Sequence, residues 1–251
     1  MDSCGDWRRH WNRTHGYNGA RVYISGRRKD VLEQTTRMCG ASPSHPQGQI
    51  IPIVADITSK SDAFNLVHEV SVSKREKKLD LLVNNAGISG GTSSTEKGRE
   101  SARALADELW KEDVMQWENV YRTNVIAPVS ARTASVINIS SILGVTRTSQ
   151  YHMKYNVSKA ASIRLNTLLA QELRQEGVKV RVNSIAPGIF PSEMTTDDSD
   201  DINKSNIPKG IPAGRPGCDE DVAQAILMLA CNQYAYGQTI AIDGGYLREH
   251  P

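Results

Sequence analysis

Residues 155–188 read YNVSKAASIRLNTLLAQELRQEGVKVRVNSIAPG. Residues 155–177 carry apolar side chains at helical spacing and stop at Gly177, a residue that suits a helix C-terminus. VKVRVNSIAPG (178–188) then reads as a β-branched strand closed by Pro-Gly. Just upstream, ASVINISS (134–141) is another strand. Strand, helix and strand in this order, with near-continuous apolar strands, point to parallel strands buried on both faces.

The same alternation extends in both directions. ARVYIS (20–25) is a strand and KDVLEQTTRMCG a helix ending at Gly40. QIIPIVADI (49–57) is a strand, and 60–77 is helical. LDLLVNNAG (79–87) is a strand running into a turn, and 100–123 has helical spacing. DEDVAQAILMLAC (219–231) is a helix and QTIAIDGG (238–245) a last strand. The expectation is one α/β domain over 1–251, a Rossmann-like doubly wound parallel sheet. Residues 189–217 are polar, rich in proline and glycine, and long for a connection, which suits a substrate flap.

Composition narrows the function. The chain has 251 residues, 39% hydrophobic and 23% charged, with a net charge of +2, so bulk charge gives no case for nucleic acid or an anionic membrane. Cys4, Cys39, Cys218 and Cys231 form no C-x-x-C and no metal spacing, and read as reduced thiols in a cytoplasmic protein. No run reads as a signal peptide or reaches transmembrane length.

In such a sheet, ligands bind beyond the carboxyl ends of the strands. Tyr155 and Lys159 are four apart at the start of a helix and share a face. An ammonium close to a phenol lowers the phenol's pKa, and the tyrosine can then trade a proton with an alcohol or carbonyl. Taken alone, the pair reads as a surface pair. It has company, however: Ser140 and Ser141 end one strand, NNAG (84–87) ends another, and Pro187-Gly188 a third. Each is an ordinary turn former in isolation; together they offer a hydroxyl for a substrate oxygen, a glycine for close approach of a flat ligand, and a wall for a ring.

The ordered set ARVYISGRR, ADIT, LDLLVNNAG, NVYRTN, VINISSILG, YNVSK, VRVNSIAPG and IAIDGG resembles the short-chain dehydrogenase/reductase family over about residues 19–245, and most resembles β-ketoacyl carrier-protein reductases. The resemblance implies an NADPH-dependent oxidoreductase that interconverts a small-molecule carbonyl and a secondary alcohol. It implies Tyr155 as acid/base, Lys159 as the group that lowers the tyrosine pKa and holds the nicotinamide ribose, Ser141 (rather than Ser140) orienting the carbonyl, and Asn124 holding a water of the proton relay. It assigns Asn85, Ala86, Gly87, Pro187 and Gly188 to the cofactor, and Asp56 and Ile57 to its adenine. Gly26 stands where relatives preferring NAD carry Asp. The neighbouring Arg27 and Arg28 suit a 2′-phosphate, which favours NADP(H). A homodimer or homotetramer is implied, with no metal, membrane or nucleic-acid partner.

Two departures stand against this pattern. The family's first, central strand and its T-G-x-x-x-G-x-G turn, whose backbone cradles the pyrophosphate, are missing; residues 1–18 hold DWRRHWNR instead. Read one base later, the codons of Trp11-Asn12 force a glycine, and Trp7-Arg8 gives another with a CGN arginine codon. The two fall four apart, so the segment is compatible with a glycine-rich turn read out of frame, with the frame restored near Asn18. Second, VIAPVSARTASVINIS leaves little chain beyond the strand between Asn124 and Ser141, so the helix carrying Asn124 is expected to be short or rerouted. These departures sustain a competing expectation, a catalytically impaired or non-catalytic member with a binding or regulatory role. DWRRHWNR also suits a nucleic-acid arm in isolation, but no further basic stripe accompanies it.

Overall fold

The computed structural model describes residues 21–40, 48–73, 79–93, 100–127, 135–173, 180–192 and 211–250. The expected start segment 1–18 and most of the expected flap 189–217 lie outside them. Six strands alternate with helices among these residues: β1 Arg21–Gly26, α1 Lys29–Gly40, β2 Gln49–Val54, α2 Lys60–His68, β3 Leu82–Asn84, α3 Ala102–Trp110, α4 Val114–Tyr121, β4 Ser135–Ile139, α5 Met153–Glu172, β5 Arg181–Pro187, α6 Asp219–Cys231, β6 Thr239–Ile242 and α7 Tyr246–Glu249. Every strand pairing is parallel. The α/β architecture is the one expected.

The strands form two sheets, β1-β2 and β3-β4-β5-β6. A doubly wound sheet ordered 3-2-1-4-5-6, extended by one further strand beside strand 6, falls into a two- and a four-stranded piece when strand 1 is removed, because strands 2 and 4 both pair with it. Among the described residues the gap between the two sheets falls where the first strand is expected from the sequence to be missing.

The four-stranded sheet carries the core, and its alternating side chains explain why helices cover both faces. Ile137 and Ile185 pack with Ala225 and Leu229 of α6 on one face, whereas Val136 and Val182 pack with Ala170 of α5 on the other. The Arg181 guanidinium donates to the carbonyls of Leu229 and Ala230, both at 2.6 Å, and so satisfies the C-terminal end of α6. A ladder of amides crosses the sheet: Asn84 Nδ2 donates to Asn138 Oδ1 (2.8 Å), and Asn138 Nδ2 to Asn166 Oδ1 of α5 (3.1 Å). These buried bonds fix how β3, β4 and α5 sit relative to one another.

The expected amphipathic helix at 155–177 is α5, but its inward side differs from that reading. Ser158, Ser162, Asn166 and Ala170 form its buried stripe, while Val157 and Leu168 are 43% and 44% exposed. Small side chains let the helix lie close to the sheet, where Ser158 and Asn166 meet the side chains of Asn124 and Asn138; Val157 and Leu168 are left facing outward while Leu169 packs on the core.

Candidate active site

The carboxyl ends of β3, β4 and β5 and the start of α5 converge on one place. β4 ends at Ile139, and Ser140 and Ser141 follow. Ser140 is turned into the fold, with its hydroxyl 2.8 Å from that of Ser184 and donating to the Ile185 carbonyl at 2.9 Å. Ser141 begins the short 3-10 turn Ile142–Gly144, and its Oγ accepts from Leu143 N–H at 3.2 Å. Its hydroxyl also faces the Tyr155 phenol, close enough to favour the phenolate. The two serines are thus separated by role: Ser140 ties β4 to β5, and Ser141 meets the tyrosine. Gly144 explains how the turn reaches α5. A Cβ there would lie 2.7 Å from both the Ala160 nitrogen and the Lys159 carbonyl carbon, so only glycine permits this approach.

Lys159 is 3% exposed. Its Nζ donates to the Ile139 carbonyl at 2.8 Å and stands 5.5 Å from the centre of the Tyr155 ring. Burial lowers its pKa to about 8. The Tyr155 pKa is raised, by burial first, with the Ser141 hydroxyl opposing it. This differs from the expected lowering by Lys159. The lysine is itself desolvated and its ammonium is directed to a backbone carbonyl, so the phenol keeps its proton.

α4 widens into a π-helical turn over Arg122–Ile126, and this turn carries Asn124, which is buried. Such turns often mark functional positions. Asn124 Oδ1 accepts from Ile88 N–H (2.9 Å), and its Nδ2 donates to the Ile88 carbonyl (3.0 Å) and to Ser158 Oγ (3.0 Å). Ser158 Oγ donates to the Tyr155 carbonyl at 2.7 Å. The asparagine therefore clamps the segment after NNAG to the first turns of α5. The regular part of α4 stops at Tyr121 and helical turns carry the chain on through Asn124 to Ile126; residues 128–134, on which the expected shortening or rerouting falls, lie outside the described residues. Ser158 was not singled out from sequence, although its place inside YNVSK, three after Tyr155, was a usable signal.

The remaining expected positions surround this cluster. The Asn85 and Ala86 side chains are exposed. A Cβ on Gly87 would lie 3.3 Å from Asn124 Oδ1 and 3.4 Å from Lys159 Nζ, so the glycine keeps a cradle open above these two groups. Lys159 spends one of its three donors on Ile139, which leaves buried N–H groups to serve a ribose hydroxyl. Gly188 lies against Asp243, where a Cβ would come within 2.7 Å of backbone. At the other end, Arg27 and Arg28 are exposed beyond β1, and Asp56 and Ile57 are partly buried beyond β2. The Asp56 carboxyl is held below the usual carboxylate range, chiefly by hydrogen bonds from Thr58 and in smaller part by Arg27. These residues fit the two ends of a dinucleotide. The segment expected to carry its pyrophosphate lies outside the described residues.

Comparison with known proteins agrees with this geometry. A family model described as enoyl-(acyl carrier protein) reductase matches residues 12–247. A 3-oxoacyl-[acyl-carrier-protein] reductase FabG from Chlamydia muridarum is 36% identical over 241 residues, covering 91% of this chain and 88% of that protein. The rhamnolipids biosynthesis 3-oxoacyl-[acyl-carrier-protein] reductase of Pseudomonas aeruginosa is 33% identical over 246 residues, covering 91% and 87%. Among solved structures, the P. aeruginosa RhlG/NADP active-site complex superposes with a TM-score of 0.69 at 32% identity, covering 90% of this chain and 86% of that one. The ordered motifs, the parallel sheets and these matches together place the chain in the short-chain dehydrogenase/reductase family of NAD(P)-dependent oxidoreductases, on its ketoacyl-reductase-like branch.

Proposed function

We propose that the chain uses NADP(H) to interconvert a carbonyl and a secondary alcohol, with Tyr155 as acid/base. The observation that carries this reading is the junction of Ser141, Tyr155, Lys159 and Asn124 where β3, β4 and α5 meet. Bound NADPH supplies the hydride. The protein's residues supply the rest. Ser141 orients the carbonyl oxygen, and the protonated Tyr155 gives it a proton as charge develops there. Burial of the phenol favours its neutral form, which suits the proton donor of a reduction. Lys159, within reach of the ring, steadies the phenolate left behind and holds the ribose. Asn124 fixes Ile88 against α5 and keeps a water in line to return the proton.

Support for the phosphorylated cofactor comes from Gly26 and Arg27 at the end of β1, where no carboxylate would repel a 2′-phosphate. The related RhlG complex contains NADP. The outward apolar side chains of α4 (Val114, Met115) and α5 (Val157, Leu168) support a homo-oligomer built on these two helices; sedimentation as a monomer at micromolar concentration would contradict it. The lack of a glycine-rich turn in the sequence, with the described strands falling into two sheets, favours one further reading, an impaired member that keeps the site but holds cofactor poorly. Fluorescence titration of the full chain with NADPH, followed by NADPH oxidation on a panel of carbonyls, decides between them. Saturable binding with turnover supports the reductase; binding without turnover on any carbonyl, or no binding, supports the impaired member.

A further inference from the structure

At the N-terminal end of α5 lies a cavity of about 460 Å³. Its walls are Thr92 and Ser93, downstream of the Asn124-clamped Ile88, and Tyr151 and His152, which precede α5, together with Glu108, Lys111 and Glu112 from α3 and the turn after it. Tyr155 and Ser141 are not among its described lining residues; its link to the reacting centre is His152, which caps the helix that carries Tyr155. His152 is three residues before Tyr155, one helical turn away, and Ser93 N–H donates to the Tyr151 carbonyl at 2.6 Å. The wall is built at a cost: Gln150 and Tyr151 both adopt left-handed backbone, with φ of 47° and 65°. Paired non-glycine residues in that conformation are strained, and strain of this kind clusters at ligand sites.

The charges of the cavity are already matched. Lys111 pairs with Glu108 at 2.8 Å, and Lys154, 2% exposed, pairs with Glu112 at 2.5 Å beneath the wall. Burial works against ionisation of Glu112, but its hydrogen bonds, led by that from Lys154, hold the carboxyl below its usual range. Two buried polar atoms are left over. His152 Nδ1 has no partner. The hydroxyl of Ser93, which is 4% exposed, lies close enough to Glu112 to favour its ionised form yet makes no hydrogen bond of normal geometry. Unpaired buried groups of this kind are costly unless something meets them.

We propose that this cavity receives an uncharged, hydroxyl-bearing arm of the substrate, hydrogen-bonded to Ser93 Oγ and His152 Nδ1. This rests on the carbonyl-reductase reading above. An anionic arm would meet Glu108 and Glu112, and a cationic arm Lys111. Among the described residues no Leu, Ile, Val, Met or Phe lines the walls, so an aliphatic acyl arm would face charges and hydroxyls there. A hydroxyl donates and accepts, and so satisfies His152 Nδ1 and Ser93 Oγ whichever of them carries the proton. The inferred substrate class is a short hydroxylated ketone or aldehyde, in contrast to the acyl thioesters named for the related carrier-protein reductases.

The test compares erythrulose with butan-2-one, which share a four-carbon chain and differ in hydroxyls. With the full chain and NADPH, kcat/KM is expected to favour erythrulose by at least about tenfold, and Ser93→Ala and His152→Phe each to cut that preference by about tenfold. Calorimetric titration of erythrulose in the presence of NADP+ reads the same contacts without turnover, and is expected to weaken in both variants. Thermal unfolding of each variant separates a lost contact from a lost fold. Equal handling of the two ketones, or an unchanged preference and affinity in both variants, would overturn the proposal and mean that the cavity holds only water. Erythrulose binding that weakens in the variants, with no NADPH oxidised on any carbonyl, would instead overturn the assigned reaction and leave the cavity's selectivity standing.

Discussion

Neighbouring residues of the same type do different work at this site. Ser140 and Ser141 are adjacent hydroxyls at the end of β4, yet one is bonded into β5 and the other faces Tyr155. Ser140→Ala is expected to destabilise the fold by about 1–3 kcal/mol, since it strands partners in the core, while leaving kcat within about twofold of wild type. Ser141→Ala is expected to do the reverse, lowering kcat with little change in unfolding. Chemical denaturation and steady-state rates on the two variants check this. Lys159 gives a pH signature. Its folded pKa is depressed to about 8 by burial, against 10.5 when free. Between these values the unfolded chain holds a proton that the folded chain has released, so stability rises with pH through this window, and the burial cost is fully present below about pH 8. Thermal unfolding from pH 7 to 10 is expected to show that rise in the wild type and a flatter curve in Lys159→Met; identical slopes would contradict it.

At the scale of elements, close approach of turn to helix makes the site. The Ile142–Gly144 turn rests on α5 because residue 144 lacks a side chain, so Gly144→Ala is expected to cost about 1–3 kcal/mol and to reduce turnover by moving Ser141 away from Tyr155. Unfolding curves and kcat on that variant provide the check. Strand and helix order were legible from alternation, and α1 and α6 have the bounds read from KDVLEQTTRMCG and DEDVAQAILMLAC. Tyr155 and Lys159 are brought into one expectation by their four-residue spacing and Ser141 by its place at a strand end, whereas Asn124 enters only through the family resemblance. Less could be read where the deciding fact is three-dimensional. The polar inward stripe of α5 runs against hydrophobic periodicity, since packing distance outweighs polarity there. Lys154 looks like any first-turn lysine until Glu112, remote in sequence, is seen to bury it. The direction of the Tyr155 pKa depends on desolvation, which spacing in a sequence does not report.

For the whole molecule, the decisive feature is that the described strands form two separate sheets. We propose that DWRRHWNR stands where a strand and a glycine-rich turn belong, and that restoring them joins β1 to β3. Replacing residues 1–18 with a first strand and T-G-x-x-x-G-x-G turn is expected to raise the unfolding temperature by several degrees and tighten NADPH binding by at least about tenfold. Unchanged affinity and stability would sink this idea, as would a transcript encoding DWRRHWNR with no upstream exon in frame. The site itself is built from β3, β4, β5 and α5, all on one side of the break, so its chemistry is testable in the chain as it stands. The most direct measurement is NADPH oxidation on a carbonyl panel by the full chain and by Tyr155→Phe, with NADPH affinity followed by fluorescence. The account predicts at least a ~10²-fold loss of turnover in the variant with affinity nearly unchanged. Turnover near the wild-type rate in Tyr155→Phe would contradict it.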